Sequence, residues 1–311
     1  MLDRYDPRDD VERERGSGAD RSRGSRGGGD RDDAFDAEPR VFSRDLDLPD
    51  GDARELVRHR GRDYELSGAE AEALATVGAF RVVQAHDLRD VLDDGVRGAS
   101  APKSVEHLAA SGLVDRIRLD GRERDVVVLT PRGRDLLDAH RHDREAQPRQ
   151  TFYAGLKKPR ELTHDAHVYR AFQRAETRLR GQGARVRRVV LDYELKRDYQ
   201  QFLQERNRGR GDSDGRPDRT AEEVAVWAQQ HDLPYFDEAV HFPDARLEVE
   251  DADGRLRHED LEVVTPHYRG AHGASAARSG FSRYGAGLGS GSTGGRGGRA
   301  RRAGLAEELL P

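Results

Sequence analysis

The chain contains no cysteine, which excludes disulfide bonds and thiolate-bound zinc. Lysine is nearly as scarce. Of 54 basic residues only Lys103, Lys157, Lys158 and Lys196 are lysines, and the rest are arginines. Arginine stays protonated, so a lysine-dependent proton transfer has few places to occur. Long apolar runs are also missing. No stretch approaches the roughly 20 residues that cross a bilayer, and the charged N-terminus lacks the apolar core of a signal peptide. The sequence therefore predicts a cytoplasmic protein with no membrane partner.

What is present is charge and glycine. Charged residues make up 36% of the 311 and hydrophobic residues 34%, with 34 glycines, a composition that cannot form one globule throughout. The net charge of −5 gives no bulk attraction to nucleic acid, so a DNA-binding surface must be a local patch. Apolar residues are nearly absent before residue 40, and residues 285–303 are almost all Gly, Ser, Ala and Arg. The pattern predicts an α+β protein with a disordered tail at each end. The tails are residues 1–62 and 285–311, and the folded units are 63–145 and 150–284, the second with a polar insertion at 206–220. The "GGRGGRARRAG" tail suits loose nucleic-acid binding, and the terminal "GLAEELLP" suits docking to a protein partner.

The first unit opens on "YELSGAEAEALATVGAF", where Ser67 and Glu70 form a capping box before a helix. "VQAHDLRDVLDDG" predicts a second helix ending at Gly95. "SAPKSVEHLAASG" predicts a third, with Ser100 as cap, Pro102 in its first turn and Gly112 as its stop. "LVDRIRLDGRERDVVVLT" alternates around Asp120-Gly121, a tight-hairpin dipeptide. "LTPRGRDLL" then starts a fourth helix, with Thr130 as cap and Pro131 at its first position.

In the second unit, Leu162, Ala166, Val168, Tyr169, Phe172, Ala175 and Leu179 form a helical stripe, and Val189-Val190-Leu191 centres a strand. "AEEVAVWAQQHDLPYF" predicts a short amphipathic helix with Trp227 as a packing residue. "HFPDARLEVEDADGRLRHEDLEVVT" reads as two strands joined at Asp251–Gly254. That hairpin would set Asp244 opposite Glu262. Two carboxylates on one sheet edge can hold Mg²⁺, which polarises a phosphate and activates water. Glu194 and Lys196, placed on the first strand, could add a ligand and a cation; Asp165 and Glu176 are further carboxylate candidates, and Arg269 a phosphate contact. His258, Glu259, Asp260, Glu262, His267 and His272 offer a zinc alternative, weakened because His258 and Glu259 alternate across a strand.

Three helices, a hairpin and a helix opened by T-P-x-G resemble the winged helix-turn-helix of MarR- and PadR-type regulators, over about residues 64–143. The resemblance implies duplex DNA as partner, contacted by Lys103, Ser104 and His107 on the third helix and by Arg116, Arg118, Arg122 and Arg124 around the wing. The second unit resembles the PD-(D/E)xK nuclease fold. Together, "LTPRGRDLL", "HDAHVYRAF", "FPDARLEVE", "DLEVVTPHYR" and "ARSGFSRY" resemble the replication-relaxation family associated with actinobacterial plasmids and other mobile elements. That resemblance implies Asp244 and Glu262 as metal-binding catalytic residues. The pattern departs from the family in two places. Val264 stands where the catalytic lysine belongs, and the final core strand has no obvious counterpart after "FSRYGAGLG". The expectation is a DNA-binding accessory protein whose nuclease-like domain no longer cuts and needs no cofactor. The alternatives are a Mg²⁺-dependent endonuclease and a protein-docking adaptor.

Overall fold

The computed structural model describes residues 40–92, 101–118, 125–142, 148–155, 162–208, 217–264 and 278–285. Residues 40–62, assigned to the tail by their charge, are folded. Phe42, Leu46 and Val57 are buried, but they are too widely spaced to show a period. Strands β1 (Glu55–His59) and β2 (Arg62–Leu66) form an antiparallel hairpin. Its turn has positive φ at both central residues, 48° at Arg60 and 72° at Gly61. Upstream, the Phe42 and Ser43 N–H groups donate to the Glu72 carboxylate at 3.2 and 2.8 Å. Burial pushes that carboxyl's pKa up, and the two backbone donors satisfy the acceptor that burial would otherwise orphan.

Helix α1 (Gly68–Phe80) starts at the predicted capping box. Ser67 accepts the Glu70 N–H at 3.3 Å, and the Glu70 carboxylate accepts the Ser67 N–H at 3.1 Å. The helix is buried around its whole circumference, which an amphipathic stripe does not predict. There follow β3 (Val83–Gln84), α2 (Arg89–Leu92), α3 (Ala101–Ala110), β4 (Val114–Arg118), β5 (Asp125–Leu129) and α4 (Pro131–Ala139). Strands β3, β5 and β4 form an antiparallel sheet in that order. The predicted second helix begins only at Arg89, because Val83-Gln84 pairs with β5 instead. Asp120-Gly121 lies outside the described residues, but Arg118 pairs with Asp125 across the hairpin it joins.

The T-P-x-G join has a physical reason. Thr130 accepts the Gly133 N–H at 3.0 Å and donates its hydroxyl to Gly112 O at 2.8 Å, tying the end of α3 to the start of α4. A Cβ at Gly133 would lie 2.2 Å from Leu113 O and 2.6 Å from a Leu129 methyl. Backbone cannot yield to a methyl at that distance. Gly133→Ala should therefore destabilise the protein by about 2–3 kcal/mol, despite alanine's better helix propensity. A urea midpoint equal to that of the parent would show that α4 can shift to accept the methyl.

Helix α5 (Leu162–Arg180) and strand β6 (Arg185–Leu191) come next, then α6 (Asp192–Gln204), α7 (Ala221–Gln230), β7 (Tyr235–Phe236) and β8 (Ala239–Val240). Strands β9 (Ala245–Glu250), β10 (Leu256–Val264) and β11 (Ser282–Gly285) complete the described chain. The sheet runs β11-β10-β9-β6; β6, β9 and β10 are antiparallel neighbours, and β11 is parallel to β10. "FSRYG" therefore supplies a final strand that sequence pattern misses. Four residues with alternating exposure and two glycines nearby carry too little signal. Trp227 is buried, as expected, in a separate aromatic cluster with Tyr199, Phe202 and Phe242.

The exposed edge of β6 is closed by side chains. Gln150 donates to Val189 O and accepts Val189 N–H, both at 2.9 Å, as a neighbouring strand would. Arg44 donates to Val186 O at 3.0 Å and to Arg187 O. Such capping blunts an edge that could otherwise pair with another chain. Arg44 arises from the N-terminal segment, so the two expected domains are not independent. One hydrophobic cluster runs from Phe42 and Leu74 through Phe172 to Leu247 and Val263, and the described residues form one unit.

Candidate functional site

The end of the sheet where β6 stops and β9 starts gathers several charged groups. The β9–β10 ladder ends where Ala245 pairs with Leu261, so Asp244 lies one residue before β9, outside the regular pairing that would have set its side chain on the face of Glu262. The Asp244 N–H donates to Leu261 O at 2.9 Å, and Asp192 N–H donates to Asp244 O at 3.1 Å. The Asp244 side chain is occupied on both oxygens. Oδ2 accepts the Val263 N–H at 2.7 Å, and Oδ1 lies 3.3 Å from His164 Nε2. His164 Nδ1 is in turn 3.6 Å from Asp165 Oδ1. Between Asp165 and Asp244 the imidazole pKa is pushed up to about 10, so it is a cation at neutral pH and cannot act as a base there. Sequence reading weighed Asp165 but passed over His164; its one signal was a His-Asp pair in the first turn of a helix.

The other predicted ligands do not join Asp244. Leu261 and Val263 belong to the core cluster that includes α5. Alternation along β10 therefore turns the buried Glu262 to the opposite face, whereas the Asp244 carboxylate is aimed at α5. Glu194 and Lys196 are not on the first strand. The strand ends at Leu191, and both lie in α6, whose first turn carries Asp192 and Glu194 where the helix dipole favours acids. Glu194 is buried and bound by Arg188, by the Thr151 hydroxyl and by Tyr153 at 3.3 Å. Lys196 is exposed, with its ammonium 2.6 Å from Asp192. Glu176 pairs with Arg180. Arg269, His267 and His272 lie outside the described residues.

The face of the sheet that carries Glu262 is an ionic ladder. Arg188 is in register with Glu248, 3.3 Å away, and Arg246 with Asp260, which it grips at 2.7 and 2.9 Å. Glu262 is in register with Arg283 on β11. Opposite charges on facing strands stabilise a sheet, so the acids have structural partners. Glu259 sits on the other face, paired with Arg178. Among the described residues no group of three or more His, Asp or Glu side chains could hold a metal ion. With both Asp244 oxygens engaged, the residues present do not fit Mg²⁺.

On the first half, Lys103 and Glu106 are exposed on α3, but Ser104 is buried. His107 Nδ1 is 3.0 Å from the buried Glu70 carboxylate, which also receives Arg54 at 2.6 Å. Ser104 and His107 thus hold α3 against the core rather than face outward, since Ser104 lies one turn from the buried Leu108 and His107 one turn from Ser104. Arg116 joins Asp125 at 2.5 Å and Glu106 at 3.6 Å, tying the hairpin to α3. Arg118 is 86% exposed; Arg122 and Arg124 lie outside the described residues.

No protein-family model, curated protein or solved structure matches the chain. No helix among the described residues is long and apolar enough to cross a membrane.

Proposed function

We propose that this chain is a DNA-binding accessory protein of a plasmid or other mobile element, with a nuclease-like half that does not cut. The observation that carries the first part is the strand order β3-β5-β4 with α1 before it and α2–α3 between β3 and β4. This is the connectivity by which a winged helix presents its third helix and hairpin to DNA. Lys103 on α3 and Arg118 on the hairpin are exposed cations, and Arg122 and Arg124 stand between the two strands in sequence. Such contacts act on phosphate and need no base-reading side chain.

Support for the second part is the order α5, β6, β9, β10, β11, with β11 parallel to β10 and Asp244 just ahead of the last β9–β10 pair, Ala245 with Leu261. That order resembles the core of PD-(D/E)xK nucleases, with Val264 where the catalytic lysine belongs. Lys103→Ala combined with Arg122→Ala and Arg124→Ala should flatten the slope of log K against log[salt] for duplex DNA by about 2–3. Equal affinity and slope in parent and variant would favour the docking-adaptor alternative.

A further inference from the structure

We propose that the β1–β2 hairpin is a second phosphate-gripping finger, its arginine tip holding the backbone of duplex DNA. The inference rests on the DNA-binding reading and extends it to a segment that composition assigns to a tail. The tip reads Arg58-His59-Arg60-Gly61-Arg62. Arg58 pairs across the ribbon with Asp63 and His59 with Arg62. Arg58 and Arg62 therefore leave opposite faces, with Arg60 at the apex between them. The side chains of Arg58 and Arg60 are 78% and 72% exposed, and Arg62 is exposed as well.

The ribbon is anchored at its base by the buried Val57, Tyr64 and Leu66, so the tip is held out from a fixed support. Arg60 occupies the first position of a two-residue turn at φ 48°. Asn, Asp or Gly is favoured there, and a long side chain gains nothing for the turn itself. Turn formation does not explain the arginine. Its carboxylate neighbours do not explain it either. Arg60 lies 2.9 Å from Asp135, and Arg58 3.5 Å from Asp63, which is itself 59% exposed. Exposed pairs of this kind contribute little and exchange readily for another anion. Asp135 brings the tip to α4, where the exposed Arg134 adjoins it in sequence. A row of phosphates suits this shape, because charges on both faces and at the apex can straddle one strand of the backbone.

The test is a full-length variant with Arg58→Gln, Arg60→Asn and Arg62→Gln. Asparagine is favoured at the turn position, so the hairpin should persist, and a thermal melt checks this. With a short duplex as probe, the parent should bind with a salt-dependent affinity. The variant's slope of log K against log[salt] should be shallower by about 2–3, near 0.9 for each lost phosphate contact. A parent that binds duplex while the folded variant keeps its slope overturns the finger and leaves the DNA reading standing. A parent that binds no duplex at any salt, or binds only anionic lipid vesicles, overturns both.

Discussion

Phe80→Ala is expected to cost about 3–5 kcal/mol and to lower the stability of the whole described fold in one transition. Phe80 ends α1 and is 1% exposed. Its ring lies 5.5 Å from Phe42, 5.0 Å from Tyr169 and 4.9 Å from Phe172, in edge-on or tilted contacts that add to burial. These partners come from the N-terminal segment and from α5, on either side of the expected domain boundary. Truncation leaves a cavity where three parts of the chain meet. Trp227, the only tryptophan, reports on the far half from α7. Its urea transition should move together with the far-UV circular dichroism. A tryptophan transition that stays at the parent midpoint while the helical signal shifts would show two independently folding domains.

The parts of the fold legible in the sequence are those fixed by local chemistry. Ser67 with Glu70, and Thr130 with Pro131 and Gly133, each satisfy backbone groups within a few residues; turn residues and caps therefore announce these helices. The hairpin at Asp251–Gly254 is equally local, with Gly254 at φ 81°. What escaped was decided at long range. The change from strand to helix at Leu191-Asp192 has no glycine, proline or side-chain cap, so "VVLDYELK" reads as one strand. Residues 40–48 are held by Glu72 and by the edge of β6, neither of which is near in sequence. Strand β11 exists because β10 offers it a partner.

The candidate site was half legible for the same reason. Register follows from alternation and the turn, and the ladder they set ends at Ala245 opposite Leu261, one residue short of Asp244 and Glu262. Occupancy does not follow from either. The sequence has acids in abundance, and only the fold shows which are already matched to arginines, as Asp260 is to Arg246 and Glu194 to Arg188. His164 escaped because its role depends on α5 starting beside the end of β9.

Supercoiled plasmid incubated with the protein and Mg²⁺ or Mn²⁺ is expected to remain supercoiled. Cleavage by two carboxylates needs a metal between them and a cation on the scissile phosphate. Neither is supplied. Asp244 is tied to the Val263 N–H and faces protonated His164, while Glu262 is turned to the other side of the sheet. Val264 fills the lysine position, and no lysine follows Lys196 anywhere in the chain. Lys196 lies in α6 near the same sheet end, but its ammonium is paired with Asp192. Loss of one such stabilising group typically lowers a rate by about a hundredfold or more, and Val264 in the lysine position alone sets an expected loss of that size. Nicking that Asp244→Ala abolishes would overturn this, since it would require Asp244 to leave His164 and take a metal. Lys196→Gln would then show whether the helix lysine had supplied the missing charge, by removing activity while plasmid binding persists.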